Sequence, residues 1–476
     1  MSDLVRKGAE LELTIEKLAF GGKALARIDN FVVFVDRALP GQKVRVRIRR
    51  KKSHYAEAQC LQVLSQADHY VPAFCPHFGV CGGCSWQDLP YEQQLVWKQL
   101  HVIECLEHLA GLDVAKVEPV LSAPQTTFYR NKMEYTFSDR AWLSAEEIAA
   151  KEISYNRSFA LGLHVRGAFD KILNIRTCFL QSRRSVEVLN EARAWCERSG
   201  MPSYTTRDHQ GFWRFLIIRE GKHTGQTLVH VLTAPHAEQD RVVRAWSRQL
   251  LQCFPEITTV VHSVSQKKAQ VAVGEASHII HGPGFIEERL GGMRFQISAH
   301  SFFQTNSYGA EELTRTIIRL GDFSRQETVW DLYCGTGSIA ICVAPYVQRV
   351  VGFEVVEQAV EDANRNRELN GIDNCSFAVG DLNEMTRDLD WVVRHGGLPD
   401  VIITDPPRAG MHPRVVRALL EISPQRIIVV SCNPSTLARD LAMLGEDYDI
   451  TAIQPVDMFP HTPHIECVVG LEKRHR

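Results

Sequence analysis

Apolar and polar residues alternate in short runs at the start of this chain, mix irregularly in its middle, and after about residue 299 settle into continuous apolar stretches separated by helical periodicities. The first 65 residues carry five β-like runs, at 10–15, 22–28, 31–35, 43–49 and 57–64, cut by the turn signals Gly21-Gly22, Asp29-Asn30 and Pro40-Gly41. Five short strands in that span predict a small barrel of the OB type. In the fourth run the alternation is strict. Val44, Val46 and Ile48 share one face, and Lys43, Arg45, Arg47 and Arg49 share the other.

Residues 66–298 predict a central α/β domain. Its first part, 72–90, is loop-rich and holds Cys75, Cys81 and Cys84; a helical pattern follows over 91–110, with the option of packing on the domain beyond. Strands such as 227–232 and 258–263 then mix with helices such as 185–198 and 237–254. From 299 to 476, apolar runs at 328–332, 349–354, 375–380, 400–404 and 426–432 alternate with helical patterns such as 358–370 and 414–422. Two last runs, 450–456 and 465–472, are joined by a short loop. Such alternation predicts a mostly parallel sheet covered by helices, so the fold class is α/β with a Rossmann-like C-terminal domain.

A length of 476 residues suits about three domains, and 45% hydrophobic with 23% charged residues is ordinary for a globular protein. No apolar run approaches a membrane span, and residues 1–7 open with charged residues rather than a signal peptide, so a cytoplasmic protein without a membrane partner is expected. A monomer is expected. Thirteen cysteines in a reducing compartment point to metal binding or catalysis before disulfides. The net charge of −2 conceals an asymmetry: residues 1–65 hold thirteen Lys and Arg against seven Asp and Glu. Clustered cations gain by releasing counterions from phosphates, which makes a nucleic acid the expected partner.

The candidate chemistry gathers at the carboxyl ends of the C-terminal strands, where open α/β sheets bind ligands. Cys432 follows an apolar run and precedes Pro434, which stops it; an inert buried thiol is the competing reading. The first strand runs into Asp331-Leu332-Tyr333-Cys334-Gly335-Thr336-Gly337-Ser338, and Glu354 ends the second strand, seventeen positions after Gly337. Glycines admit a ligand close to the backbone, and an acid there can hold ribose hydroxyls. With Asp331, Glu354 and Asp381 at successive strand ends, the pattern suits S-adenosylmethionine better than a dinucleotide or a plain structural turn. Asp405-Pro406-Pro407-Arg408 is a rigid loop over the same edge, and His461 to Glu466 offers a general base more readily than a metal pair.

These groups fit one reaction. Addition of a thiolate to C6 of uracil makes C5 nucleophilic toward a methyl donor, and a base must then take the C5 proton. Cys432 supplies the thiol and Glu466 the base, with Arg408 expected to favour the thiolate. Separately, Cys75-x5-Cys81-x2-Cys84 provides three thiolate ligands for zinc or an iron–sulfur cluster. Cys60, Cys105, Cys178 and Cys196 are all candidates for the fourth, and spacing does not choose.

Together these segments resemble the RNA uracil-5-methyltransferase family, in particular its ribosomal (23S) RNA branch carrying a [4Fe-4S] cluster. The resemblance implies that the N-terminal barrel is an RNA-binding TRAM domain. It rests further on Phe128-Tyr129-Arg130-Asn131-Lys132-Met133-Glu134, on Gly162-Leu163-His164, and on Ser301-Phe302-Phe303-Gln304. It implies Cys178 as the fourth cluster ligand beside Cys75, Cys81 and Cys84. It also implies Gln304, Tyr333, Gly335, Ser338, Glu354, Asp381 and Asp405 as cofactor contacts, Cys432 as nucleophile and Glu466 as base. Thr305 departs from the usual valine, and 139–152 reads as an added helical stretch. The implied partner is structured RNA, ribosomal before transfer RNA. Two other readings stand beside it: amino-methylation of a base by the Asp405-Pro406-Pro407 loop, and a metal-bearing RNA-binding protein without turnover.

Overall fold

The computed structural model describes residues 5–150, 156–382, 393 and 397–474. Strands β1 (Glu10–Thr14), β2 (Lys17–Leu18), β3 (Ala24–Ile28), β4 (Phe31–Asp36), β5 (Lys43–Lys51) and β6 (Tyr55–Ser65) form one sheet in the order β1-β5-β6-β4-β3-β2. In β5 the valines and Ile48 are buried and the cations exposed, as the alternation requires. Those cations face carboxylates of β1: Arg45 lies 3.3 Å from Glu12 and Arg47 2.6 Å from Glu10. The expected barrel is not closed among the described residues. With only two residues, β2 pairs with β3 alone, so β1 and β2 remain edges. The chain leaving β1 crosses to β3 at Glu16, whose N–H donates to Leu25 O at 2.8 Å and whose carboxylate accepts the Arg27 N–H at 3.0 Å.

Helix α1 (Tyr91–Ala110) ends at Gly111, whose φ of 62° lets the chain leave in the left-handed region. The second sheet contains β7 (Lys132–Ser138), β8 (Ala160–Val165), β9 (Ala168–Asn174), β10 (Trp213–Glu220), β11 (Thr227–Thr233), β12 (Ile257–Val264) and β13 (Ala276–His281), in the order β13-β12-β11-β10-β7-β8-β9. Among its connections are α2 (Ala145–Ala150), α3 (Arg183–Arg198) and α4 (Gln239–Cys253). The last two pack Leu189, Val243 and Trp246 onto Leu216, Val229 and Val231. The added helical stretch expected over 139–152 corresponds to α2, and its last two residues lie outside the described residues.

A hairpin, β14 (Phe285–Leu290) and β15 (Met293–Ser298), leads to α5 (Ser307–Gly321) and the third sheet. There β16 (Thr328–Leu332), α6 (Ser338–Val343), β17 (Arg349–Glu354), α7 (Glu357–Leu369), β18 (Cys375–Val379), β19 (Val401–Thr404), α8 (Pro413–Ile422), β20 (Arg426–Ser431), α9 (Pro434–Leu444), β21 (Tyr448–Val456) and β22 (Glu466–Lys473) follow in turn. Strand order is β18-β17-β16-β19-β20-β22-β21, parallel except that β22 runs against both neighbours. Apolar clusters cover both faces, which is why these strands read as unbroken apolar runs. The order reverses between β16 and β19, the switch point at which such sheets open a crevice. Helix α1 belongs to this layer in packing terms, with Val102 and Leu106 buried against Leu437 and Leu441 of α9. Among the described residues no helix is long and apolar enough to cross a membrane.

Candidate active site

At the switch point the turn after β16 is built from left-handed residues: Tyr333, Gly335 and Gly337 have φ of 63°, 54° and 78°. A Cβ on Gly337 would stand 2.6 Å from the Phe377 ring, so this glycine is also required for packing. A cavity of about 460 Å³ opens over the turn, lined by Gln304, Tyr333, Gly335, Ser338 and Asp405 together with Phe302 and Thr336. Five of the seven expected cofactor residues thus line one cavity. Two bonds pin the 302–304 segment above it: Asn131 donates to Gln304 O at 2.9 Å, and the Thr336 hydroxyl to Phe302 O at 3.1 Å.

Of the other two, Glu354 ends β17 and accepts the Gly335 N–H at 3.1 Å and those of Val355 and Val356 at 2.8 and 3.0 Å. Asp381 follows β18. After burial and Asp440, its charge helps push the Tyr333 phenol up to about 12. Asp331, the penultimate residue of β16, does not line this cavity. It is fully buried, accepts the Ala340 N–H at 3.0 Å at the start of α6, and burial pushes its carboxyl well up.

Ser431 pairs with Cys467 across β20 and β22, so Cys432 and Glu466 step off the same end of that ladder. Glu466 is 6% exposed. The rigid loop after Asp405 is tied to this end, because Asn433 donates to Arg408 O at 3.0 Å. Arg408 also places a guanidinium nitrogen 3.2 Å from His464 Nδ1. The same nitrogen lies 3.5 Å from His464 Nε2, and burial, then the Arg408 charge, lowers this imidazole to about 4. Burial pushes the Cys432 thiol up to about 11, with Glu466 and Asp405 adding to it and Arg408 opposing. Arg408 favours the thiolate, as expected, but desolvation outweighs its pull. Burial, then Asp405, holds the Glu466 carboxyl well above its ordinary range, and burial alone raises Asp405 to about 6.

The sequence reading passed over Gln94 and Lys98. Both are buried on α1, in the same four-residue stripe as Val102 and Leu106. Two polar residues inside an apolar stripe were the available signal.

Cys75, Cys81, Cys84 and Cys178 line a second cavity of about 380 Å³, with His77 and mostly apolar walls. The other candidates for a fourth thiol lie elsewhere: Cys60 packs on the first sheet, Cys105 is buried on α1 and Cys196 in the core of the second sheet. Among the described residues, no three His, Cys, Asp or Glu side chains are grouped as they would be around a metal ion.

The "tRNA (Uracil-5-)-methyltransferase" family profile matches residues 269–474, and the TRAM domain profile matches residues 4–61. An uncharacterized RNA methyltransferase of Nitratidesulfovibrio vulgaris is 40% identical, over 98% of this chain and 97% of its own length. Another from Bacteroides thetaiotaomicron is also 40% identical, over 96% of this chain and 100% of its own. The crystal structure of Pyrococcus abyssi tRNA (uracil-54, C5)-methyltransferase in complex with S-adenosyl-L-homocysteine is similar with a TM-score of 0.73 at 29% identity, covering 97% of this chain and 100% of that one. The chain belongs to the tRNA and RNA uracil-5-methyltransferase family, and it is an RNA methyltransferase.

Proposed function

We propose that this enzyme methylates C5 of one uridine in structured RNA, with S-adenosylmethionine as donor, Cys432 as nucleophile and Glu466 as base. The observation that carries the reading is the pairing of β20 with β22, which brings Cys432 and Glu466 to one end of that ladder, where both feel the charge of Asp405, a residue of the larger cavity's lining. Gln304, Tyr333, Gly335, Ser338, Glu354, Asp381 and Asp405 would hold the donor, with the Glu354 carboxylate suited to ribose hydroxyls. When bound, S-adenosylmethionine supplies an electrophilic methyl group for the C5 carbanion equivalent.

Cys432 Sγ adds to C6, pushing electrons onto the uracil so that C5 becomes the nucleophile. After methylation Glu466 takes the C5 proton. The C5–H electrons restore the C5=C6 bond as the C6–Sγ bond breaks, and the thiolate leaves. RNA carrying 5-fluorouridine has no C5 proton to lose, so it is expected to accumulate a methylated adduct through Cys432; absence of that adduct with active enzyme overturns the mechanism. Full activity in Cys432→Ser would instead move the reaction to an exocyclic amino group.

In the same reading residues 1–65 bind RNA, 66–298 form the central domain, and 299–476 carry out methyl transfer. Ribosomal 23S RNA is the proposed substrate. Transfer RNA is the second reading, favoured by the tRNA substrate of the Pyrococcus abyssi neighbour. Labelled-methyl transfer to separated RNA pools, followed by mapping, decides between them. Cys75, Cys81, Cys84 and Cys178 would hold a [4Fe-4S] cluster, supported by four thiols around one cavity. It would brace an RNA-facing loop. Anaerobically purified protein is expected to be brown, absorbing at roughly 400 nm, and colourless protein containing zinc would overturn this.

A further inference from the structure

The segment leading into Glu466 is held from far away in the sequence. Lys98 of α1 is fully buried with Asp457, Nζ to Oδ1 at 2.5 Å, and the same ammonium donates to Phe459 O at 3.0 Å. Asp457 also accepts the Phe459 N–H at 2.9 Å and the Tyr91 hydroxyl at 3.0 Å. One turn earlier on α1, Gln94 accepts the His461 N–H at 2.7 Å and donates to Trp86 O and Leu89 O at 2.9 and 2.8 Å. Three side chains of one helix therefore clamp residues 457–461, just before the strand that begins with Glu466.

A buried ion pair is weak evidence for stability, because an apolar pair of similar volume commonly holds a fold as well or better. What an ammonium does that a methylene chain cannot is fix two oxygens, Asp457 Oδ1 and Phe459 O, at set positions on one loop. We propose that Lys98 and Asp457, with Gln94, are positioning residues that aim Glu466 at C5 of the target uracil. The proposal rests on the reading of Glu466 as the base.

Its signature is selective. Addition by Cys432 and methyl transfer do not need the base, whereas elimination does, so misplacing Glu466 leaves the methylated RNA bonded to Cys432. In full-length Lys98→Met/Asp457→Asn no charge of this pair is left buried, and the side-chain amide oxygen introduced at position 457 still accepts the Phe459 N–H. With ordinary substrate RNA and labelled S-adenosylmethionine, this variant is expected to form the adduct in a burst near the wild-type rate. Release should slow on the order of tenfold to a hundredfold, so that label stays with the protein on a denaturing gel. Glu466→Gln is the reference. If it accumulates no adduct, the reading of the base fails; if it does while the double variant releases RNA at the wild-type rate, the positioning role alone fails. Should the double variant not fold, Gln94→Met decides in the same assay, with slowed release expected and wild-type release overturning the proposal. Equal loss of burst and release in a folded variant also overturns it, since that is what a purely structural role produces.

Discussion

Burial, Glu466 and Asp405 push Cys432 one way, and Arg408 pulls it back. Alkylation of Cys432 should therefore keep rising past pH 9, because below a pKa of about 11 the thiolate fraction grows about tenfold per unit. Arg408→Gln is expected to slow that alkylation several-fold at pH 8, as measured by mass spectrometry of the Cys432 peptide. Asp405 adds a dependence with a definite sign. Its carboxyl is raised to about 6 from 3.8, so the folded protein binds a proton that the unfolded chain loses first. Its stabilising contribution is full below about pH 4 and is lost as the pH rises through about 6. Asp405→Asn should flatten the melting temperature across that window, and an unchanged pH profile would contradict the burial of the carboxyl. Sequence pattern found Cys432, Asp405 and Glu466 because each stands at a strand end. It could not weigh desolvation against Arg408, since burial depends on what the rest of the chain brings to that edge.

For the elements, the basic face of β5 shows how a motif can be right and its charge largely committed. Arg45 and Arg47 face Glu12 and Glu10 on β1, residues more than thirty positions away. Cations already paired release fewer counterions on meeting phosphate. Replacing Arg50 and Lys52 by alanine is thus expected to lower the slope of log K against log salt for RNA binding by about 0.7–0.9 per lost phosphate contact. Arg45→Ala should lower it by less; equal slopes for all three would mean that the β1 carboxylates do not matter. The third sheet was readable because its apolar strands alternate with helices. In the second, β11, β12, α3 and α4 fall where the sequence pattern put them, but the order of its strands was not readable, because β10 pairs with β7 across about eighty intervening residues and such a pairing leaves no local period.

Across the whole molecule, α1 joins parts that the sequence presents as separate. His101 Nε2 lies 3.0 Å from Leu18 O in the first sheet, and Lys17 lies 2.6 Å from Glu104. On another face, Val102 and Leu106 enter the core of the third sheet. Leu106→Ala should cost about 2–5 kcal/mol, read as a lower melting temperature. It should also speed amide exchange in β2 and β3; exchange there at the wild-type rate would show the sheets to be energetically independent.

The place of β22 has a consequence for synthesis. This strand lies between β20 and β21, yet ribosomes make it after both. Until residues 466–473 emerge, β20 and β21 have no partner between them, and Cys432 exists without Glu466. A nascent chain thus carries the Cys432 thiol before the Glu466 carboxyl, and insertion of one strand both completes the sheet and brings these two side chains to the same end of it.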